Sequence, residues 1–235
     1  MFQRHQDFAA YEPAEAARLL GVQPSKIKRW LGGYEYRRGD RVLEQPPLWI
    51  SEYSNLDEFY LGFRDLIEIR FVIAFVRAGL GKNSVRSLLS KARTFVGHEY
   101  PLSTQQFQTD GKTLFLEIWD HDREDRAGHT IDVNNGQHVF RSLISPTFKD
   151  LDFDQGVVSK WHVAGRRKRI SIAPEVAFGQ PVIDDTGIPT SRILEAYEAE
   201  GDEVIVARQF EVPVSAVRSA IEFERGLFQG RAAAA

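Results

Sequence analysis

The chain has 235 residues, of which 43% are hydrophobic and 27% are charged, and its formal net charge is −3. This length suits two modest domains or one large one, and the composition is that of an ordinary globular protein. The absence of cysteine excludes a disulfide framework, a thiolate zinc site and a cysteine nucleophile. Because the whole chain is not a polycation, any contact with nucleic acid must come from a local basic patch.

The sequence predicts no membrane contact. The longest apolar run in the central helical pattern, Phe71–Val76, is bounded by two arginines and is far too short to span a bilayer. The first residues also lack the apolar core of a signal peptide. We therefore expect a cytoplasmic protein.

Two short helical patterns near the amino terminus, Pro13–Leu20 and Pro24–Leu31, flank a tight connection at Gly21. Gly21 suits the positive φ that ends a helix, and Ile27 with Leu31 can face inward from the second helix. This spacing predicts a helix-turn-helix whose second helix meets DNA, with a plain helical hairpin as the alternative. The outward side chains predicted to contact DNA are Ser25, Lys26, Lys28 and Arg29.

A basic ribbon follows this motif. Residues 26–41 hold six cations and two carboxylates, which gives a local net charge of +4. Tyr34–Tyr36 and Arg41–Leu43 are predicted to pair as a hairpin around Gly39. Beside a basic helix, the arginines of this ribbon favour phosphate contact over a merely solvated turn. We therefore predict that Arg37, Arg38 and Arg41 contact the DNA backbone.

The first motif resembles the MerR-type winged helix-turn-helix. The matching residues are Tyr11, the run Ala16-Ala17-Arg18-Leu19-Leu20-Gly21-Val22, and Arg29-Trp30. Two amphipathic patterns, Leu56–Gly79 and Ser84–Phe95, predict helices similar to the helical body that follows this motif in the MerR family.

The middle of the chain is less regular. Thr113–Ile118 is predicted as a strand, and Gly136–Leu151 as an amphipathic helix that Pro146 kinks or splits. Trp119–Gly128 is dense in charge, but no ligand spacing on a fixed element supports a metal site, so a solvated connector is the better interpretation. The potential ligands in and beside it are Asp120, His121, Asp122, Glu124, Asp125 and His129.

Val157–Val163 and Arg169–Ile172 are predicted to form a β-hairpin with a strongly basic tip. By charge alone, this tip fits a solvated turn as well as it fits a contact with phosphate or with an acidic partner.

The last third predicts a second helix-turn-helix. A helix ends at Gly201, and the helices Asp202–Gln209 and Pro213–Arg225 follow, with Val204, Ile205 and Ala207 expected to face the last helix. The last helix, counted with the neighbouring glutamate at 211, has a net charge of −1. Because such a helix would repel phosphate, we assign DNA contact to the first motif.

This last segment resembles a small domain carried by antitoxins of the VapB type. The chain departs from that pattern at residues 202–205, where the family usually begins a helix with serine or threonine and an acidic-rich turn. The residues that match are Gly179, Pro181, Ile183, Gly187, Ile188, Val217, Ala220 and Ile221.

The order of the parts, a MerR-like head, a helical body, a linker with a hairpin and this last domain, is similar to a two-domain VapB-family antitoxin. The resemblance implies a type II antitoxin that silences a VapC-like PIN-domain ribonuclease. It also implies a homodimer that represses its own operator DNA. Because a PIN-domain active site is a cluster of metal-binding carboxylates, the predicted toxin contacts are Arg166, Arg167, Lys168 and Arg169.

We thus expect a mainly α chain of the α+β class, with short β-hairpins and two helix-turn-helix units, the first winged. The expected domains are 1–118 (head and helical body), 119–155 (connector) and 156–230 (hairpin and antitoxin-type domain). The alternative function is a ligand-responsive MerR-like regulator without a toxin, because the long central helix is rich in aromatic residues. An enzyme is not expected, since the sequence has no catalytic triad, no metal-ligand pair at helical spacing and no glycine-rich phosphate loop, and it implies no cofactor.

Overall fold

The computed structural model describes residues 9–127 and 133–234, and side chains for residues 9–122 and 136–227. These described residues confirm the α+β class, because helices dominate and the strands form four small sheets of two or three strands. They fall into two compact units that interleave along the chain. Of the described residues, the first unit comprises 9–28, 53–63 and 159–234, and the second comprises 29–52, 64–127 and 133–158.

The first unit opens with strand β1 (Ala10–Tyr11), which pairs antiparallel with β4 (Leu61–Gly62). Helix α1 (Pro13–Leu20) follows, and then α2 (Pro24–Gly32), whose last residues from Arg29 onward belong to the second unit; both helices lie almost at their predicted bounds. Between them Gly21 is left-handed with a φ of 63°. We call α1 and α2 the head pair.

The first unit continues with a three-stranded antiparallel sheet in the order β7 (Ile170–Ser171), β8 (Val182–Ile183) and β9 (Ile188–Pro189). Helices α8 (Thr190–Glu200), α9 (Glu203–Gln209) and α10 (Val214–Ala234) follow, and α1 packs against α10. We call α9 and α10 the tail pair. Its core is apolar and includes Ile193, Leu194, Val206, Ala207, Val212, Val217, Ala220 and Ile221.

The prediction that Val204 and Ile205 face α10 is wrong. Their side chains are 44% and 46% exposed, whereas Val206 and Ala207 are buried. Asp202 sets the start of α9, since its side chain accepts hydrogen bonds from the backbone N–H groups of Val204 and Ile205. Residues two apart lie about 200° from each other around a helix, so when Val206 and the predicted Ala207 face the core, positions 204 and 205 face the surface.

The second unit contains the predicted hairpin, formed by β2 (Tyr34–Arg38) and β3 (Arg41–Gln45). Helix α3 (Phe63–Arg77) begins at Phe63, not at Leu56 as predicted, and α4 (Lys82–Val96) follows it. The earlier start is impossible because the two residues before Phe63 are extended, as β4.

The predicted strand Thr113–Ile118 is wrong, and so is the predicted connector as far as Ala127, because these residues belong to one helix, α5 (Gln105–Ala127). Gly128, the last residue of the predicted connector, lies outside the described residues. Gly111 lies within helix α5. A side chain there would come within 2.7 Å of the Phe107 ring, so glycine lets this ring lie against its own helix. The charged Asp122 is buried and accepts hydrogen bonds from the Gly81 N–H and the Ser84 hydroxyl, which caps α4.

The predicted kink at Pro146 is confirmed. Helix α6 (Val133–Val139) changes into a π-helical turn at Phe140–Ile144, and α7 (Ser145–Lys149) restarts with the proline in its first turn. Strands β5 (Leu151–Asp154) and β6 (Val157–Trp161) complete the described elements.

The predicted basic hairpin takes a different form. Strand β6 pairs with β5, and one bridge, between Trp161 and Ile172, joins it to the chain after the basic residues. The basic residues Arg166–Lys168 form a short 3-10 turn. None of the helices within 9–127 and 133–234 is both long and apolar enough to cross a bilayer.

Candidate nucleic-acid and partner surfaces

In the first unit, the outward face of α2 carries predicted DNA contacts. Ser25, Lys26 and Lys28 are exposed, whereas Ile27 between them is fully buried. No carboxylate among the described residues forms an ion pair with either lysine. This face therefore offers two uncompensated cations to an anion.

In the second unit, Arg29 and Lys82 share one aromatic ring. The Arg29 guanidinium lies 4.1 Å from the centroid of the Tyr34 ring, and Lys82 Nζ lies 5.5 Å from it. Lys82 also donates a hydrogen bond to the Tyr34 hydroxyl at 3.2 Å, and this bond is the main cause that lowers the pKa of Tyr34. Sequence reasoning missed Lys82 because 48 residues separate it from Tyr34.

The hairpin arginines, Arg37, Arg38 and Arg41, are all exposed at or beside the turn of the β2–β3 hairpin. Arg38 lies directly opposite Arg41 in the strand register. Like charges directly opposite each other destabilise a hairpin. Within the part of the chain that the structure describes, no acidic side chain forms an ion pair with these arginines. Their planar guanidinium groups match the geometry of phosphate.

The chain that leaves the hairpin is fixed to α3 by a buried carboxylate. Asp65 accepts hydrogen bonds from Trp49 Nε1 at 2.7 Å, from Ser51 Oγ at 2.7 Å and from the Glu52 N–H at 3.1 Å. Glu52 in turn accepts from the Arg64 N–H at 3.1 Å. The burial of the Glu52 carboxyl, together with the negative charge of the neighbouring Asp65, raises the pKa of Glu52 to about 7. These hydrogen bonds therefore tie the base of the hairpin to the start of α3.

The four predicted toxin contacts lie together in one exposed turn of the first unit. Three of them have partners there. Arg169 pairs with Asp185, Lys168 Nζ lies 3.1 Å from Glu222 Oε2, and Arg166 lies 3.1 Å from His162 Nε2. Arg167 makes no ion pair with any residue that the structure describes.

A buried polar group fixes this turn. Asp184 accepts a hydrogen bond from the Ser171 hydroxyl, and its carboxylate lies 3.5 Å from His162 Nδ1. This arrangement is not a catalytic triad, because the serine donates to the carboxylate and not to the imidazole. The three residues therefore position the turn.

The described residues contain no group of three or more histidine, aspartate or glutamate side chains placed to hold a metal ion. Of the potential ligands considered from sequence, the side chains of Glu124, Asp125 and His129 lie outside the described residues.

The aromatic-rich α3, which motivated the ligand-responsive alternative, forms a packed core. The ring centroids of Phe71 and Phe148 lie 4.6 Å apart, and the Phe75 ring stacks on the Phe115 ring with their centroids 6.0 Å apart. Phe71, Phe75 and Phe115 are fully buried. The rings that suggested a ligand pocket are therefore part of the hydrophobic core.

Comparison with known proteins extends these observations. Residues 170–223 match the family described as "Protein of unknown function (DUF433)". The chain is 25% identical over 228 residues to the protein named "Putative antitoxin VapB45" of Mycobacterium tuberculosis, covering 92% of this chain and 94% of the relative. The chain is therefore similar over nearly its whole length to a protein that carries this name.

The fold is also found in a solved structure, the X-ray crystal structure of Rv2018 from Mycobacterium tuberculosis. The TM-score is 0.65 at 20% sequence identity, over 90% of this chain and 96% of that one. At this identity the likeness concerns the fold alone.

Proposed function

We propose that the protein is an antitoxin that binds and silences a VapC-like PIN-domain ribonuclease. The observation that carries this proposal is the similarity to an antitoxin over 92% of the chain and 94% of the relative. A match of that extent covers the whole arrangement of elements, whereas a match to one domain would leave the overall role open.

The toxin contact in this proposal is the basic turn Arg166–Arg169. A PIN-domain active site gathers metal-binding carboxylates, so a cluster of exposed cations is complementary to it in charge. Within the turn, the ion pairs of Arg169 with Asp185 and of Lys168 with Glu222 partly neutralise two cations. Arg167, which makes no ion pair with any described residue, therefore keeps its full charge available.

The second part of the proposal is autorepression, in which a homodimer binds the operator of its own gene pair. Ser25, Lys26, Lys28 and Arg29 would contact the operator, and the hairpin arginines would contact its phosphates. The uncompensated charge of Arg38 and Arg41, directly opposite each other, supports this role. Two copies related by a two-fold axis would read half-sites about one helical turn apart. Lys82, which shares the Tyr34 ring with Arg29, joins the proposed contacts.

The toxin partnership is tested by co-expressing the protein with the product of the neighbouring reading frame, followed by pull-down and a ribonuclease assay. A stable complex in which ribonuclease activity is silenced is expected. Replacing Arg166, Arg167 and Lys168 by glutamate should abolish silencing while operator binding persists. Silencing by that variant would move the toxin contact elsewhere. If the wild-type protein captures no partner but still binds DNA, it is a transcriptional regulator.

The DNA part is tested separately by a gel-shift titration at fixed salt. Arg29→Ala should weaken operator binding markedly, and binding of the wild type should fall steeply as salt rises, because phosphate contacts release counterions. An unchanged affinity of Arg29→Ala would contradict the assignment of α2.

A further inference from the structure

Phe178 is the most exposed large apolar residue that the structure describes. Its side chain is 68% exposed, on the loop between β7 and β8 in the first unit. Single exposed apolar residues are common on protein surfaces and by themselves require no explanation. The backbone of this loop, however, is unusual.

Three successive residues in the loop have left-handed backbone conformations. The φ angles are 47° at Ala177, 55° at Phe178 and 76° at Gly179. Glycine adopts this region freely, but a bulky side chain does so only at a cost in free energy. If the loop served only to reverse the chain, glycine or asparagine at position 178 would form it more easily. The phenyl ring therefore has no local structural reason to be there.

The surrounding structure holds this strained conformation in place. The Gly179 N–H donates to the Val176 carbonyl at 2.9 Å, and the Tyr11 hydroxyl donates to the Gly179 carbonyl at 2.8 Å. A side chain at Gly179 would overlap Ala9 and the Tyr11 hydroxyl, so the loop lies directly on this part of the unit. The ring is thus presented from a rigid base, which is how strain is retained at binding sites.

The chemistry of the loop distinguishes between classes of partner. Residues 173–180 contain one charged side chain, that of Glu175, and no cation. Base stacking by proteins that bind single strands combines aromatic rings with a basic groove, which this loop lacks. One ring also gives too little apolar area for a membrane anchor. A rigid, uncharged aromatic knob is instead the kind of residue that fills a pocket at the centre of a protein interface.

We infer that Phe178 inserts into an apolar pocket on the ribonuclease that the proposed function assigns as partner, and so anchors the complex. The inference rests on the proposed function, because the partner is the same toxin. It adds a contact of a different chemistry, since the basic turn supplies charge and Phe178 supplies desolvated apolar area. Because the loop is already held in place, little conformational entropy is lost on binding.

The test measures the dissociation constant between the full-length chain and the purified product of the neighbouring reading frame. Phe178→Ala should weaken binding by about thirty-fold or more, as expected for a central anchor. Phe95→Ala is the matched control, because Phe95 is also an exposed phenylalanine, at 51%, but lies on α4 in the second unit. The control should bind like the wild type.

A second variant separates binding from folding. Phe178→Gly removes the ring and relieves the backbone strain, so it should raise the melting temperature of the free protein while binding is lost to the same extent. If both Phe178 variants lower the melting temperature and bind normally, the ring has a structural role and the inference is overturned. If they convert a dimer of the free chain to monomers without weakening toxin binding, the ring is covered by a second copy and the inference is again overturned.

The wild-type measurement distinguishes failure of this inference from failure of the proposed function. A wild-type chain that binds no ribonuclease overturns the proposed function and, with it, the assigned occupant of the pocket. If the wild type binds the ribonuclease and Phe178→Ala binds it equally tightly, the proposed function stands and only the role of Phe178 as an anchor is overturned.

Discussion

The head pair and the tail pair end their first helices in the same way. In the head pair, the Val22 N–H donates to the Ala17 carbonyl at 3.1 Å across a left-handed Gly21. In the tail pair, the Val212 N–H donates to the Ala207 carbonyl at 3.0 Å across a left-handed residue 211. Both are Schellman-type endings, so the two pairs share one local geometry.

The surfaces of the two pairs differ, although the geometry does not. Lys26 and Lys28 of the head pair have no acidic partner among the described residues, whereas Arg218 of the tail pair lies 2.5 Å from Glu203. The tail pair also exposes the apolar Val204 and Ile205. A repeated backbone motif therefore does not imply a repeated function, because the function depends on the side chains that the motif presents.

The largest expected effect concerns the contact of Gly179 with Ala9 and Tyr11. This contact connects β1, which precedes the head pair, to the loop between β7 and β8, which precedes the tail pair. Gly179→Ala should lower the free energy of unfolding by about 3 to 4 kcal/mol, since the new methyl group overlaps Ala9 and Tyr11 and the left-handed φ of 76° is also unfavourable for alanine. Urea denaturation of the full chain measures the change.

Gly201→Ala is the control for this prediction. Gly201 has a φ of 73°, but a side chain there would meet no atom within 4 Å. It should cost only about 1 kcal/mol, the conformational part of the effect. Equal losses in the two variants would show that the packing of Gly179 contributes nothing.

The next effect tests the difference in charge. Arg38→Ala/Arg41→Ala should weaken operator binding about a hundred-fold, or roughly 3 kcal/mol, because two charge-assisted phosphate contacts are lost. The slope of log affinity against log salt should also become shallower by about 1.8. Fluorescence anisotropy at several salt concentrations measures both quantities.

Arg192→Ala/Arg218→Ala is the matched control, since it removes the same charge from two exposed arginines that pair with Glu195 and Glu203. It should leave operator affinity and the salt slope unchanged. An equal loss in this control would mean that net charge matters and the position of the arginines does not.

The elements that could be predicted from sequence are those fixed by local rules. Gly21 and the prolines Pro13 and Pro24 punctuate the head pair, and the glycine at the tip of the β2–β3 hairpin sets its turn, so the bounds of these elements agree closely with the prediction. The end of α8 follows from Gly201, and the start of α9 from Asp202, in the same way.

The errors arise where tertiary contacts decide. The charged Asp122 suggested a solvated connector, but it is buried because it caps another helix. Leu61 would continue a helix by pattern, yet it pairs with β1 as a strand. Lys82 joins the proposed DNA surface only because folding brings it to Tyr34. The loop that carries Phe178 is held in place by Tyr11, which is also distant in sequence. A single sequence carries no local signal for such contacts.

A smaller effect concerns the pKa of Glu52, at the base of the hairpin that follows the head pair. Among the described residues, no such hairpin follows the tail pair. The pKa of Glu52 is raised from an ordinary value of 4.5 to about 7, so between these values the folded state binds more protons than the unfolded state. The contribution of Glu52 to stability therefore falls as pH rises from 4.5 to 7 and stays at its lowest above 7.

Glu52→Gln keeps an acceptor for the Arg64 N–H and removes this titration. Relative to the wild type, the variant should gain roughly 2 kcal/mol between pH 4.5 and 8, after allowance for the partial exposure of Glu52. Urea denaturation of both proteins at a series of pH values measures the difference. A constant difference across this range would contradict the prediction.

The smallest effect concerns Gly21 and Glu211, the left-handed residues that follow the first helix of the head pair and of the tail pair. Gly21 occupies its left-handed position without strain, whereas Glu211 holds a φ of 54°. Because no atom lies within 4 Å of a side chain built at Gly21, Gly21→Ala should cost only the conformational term, about 1 kcal/mol. Glu211→Gly should stabilise the chain by a similar but smaller amount, because glycine relieves the strain but gives the unfolded chain more freedom. Thermal denaturation measures both changes. If Glu211→Gly destabilises the protein, the glutamate side chain makes a contact worth more than its backbone strain, and the turns of the two pairs are then equivalent in geometry but not in energy.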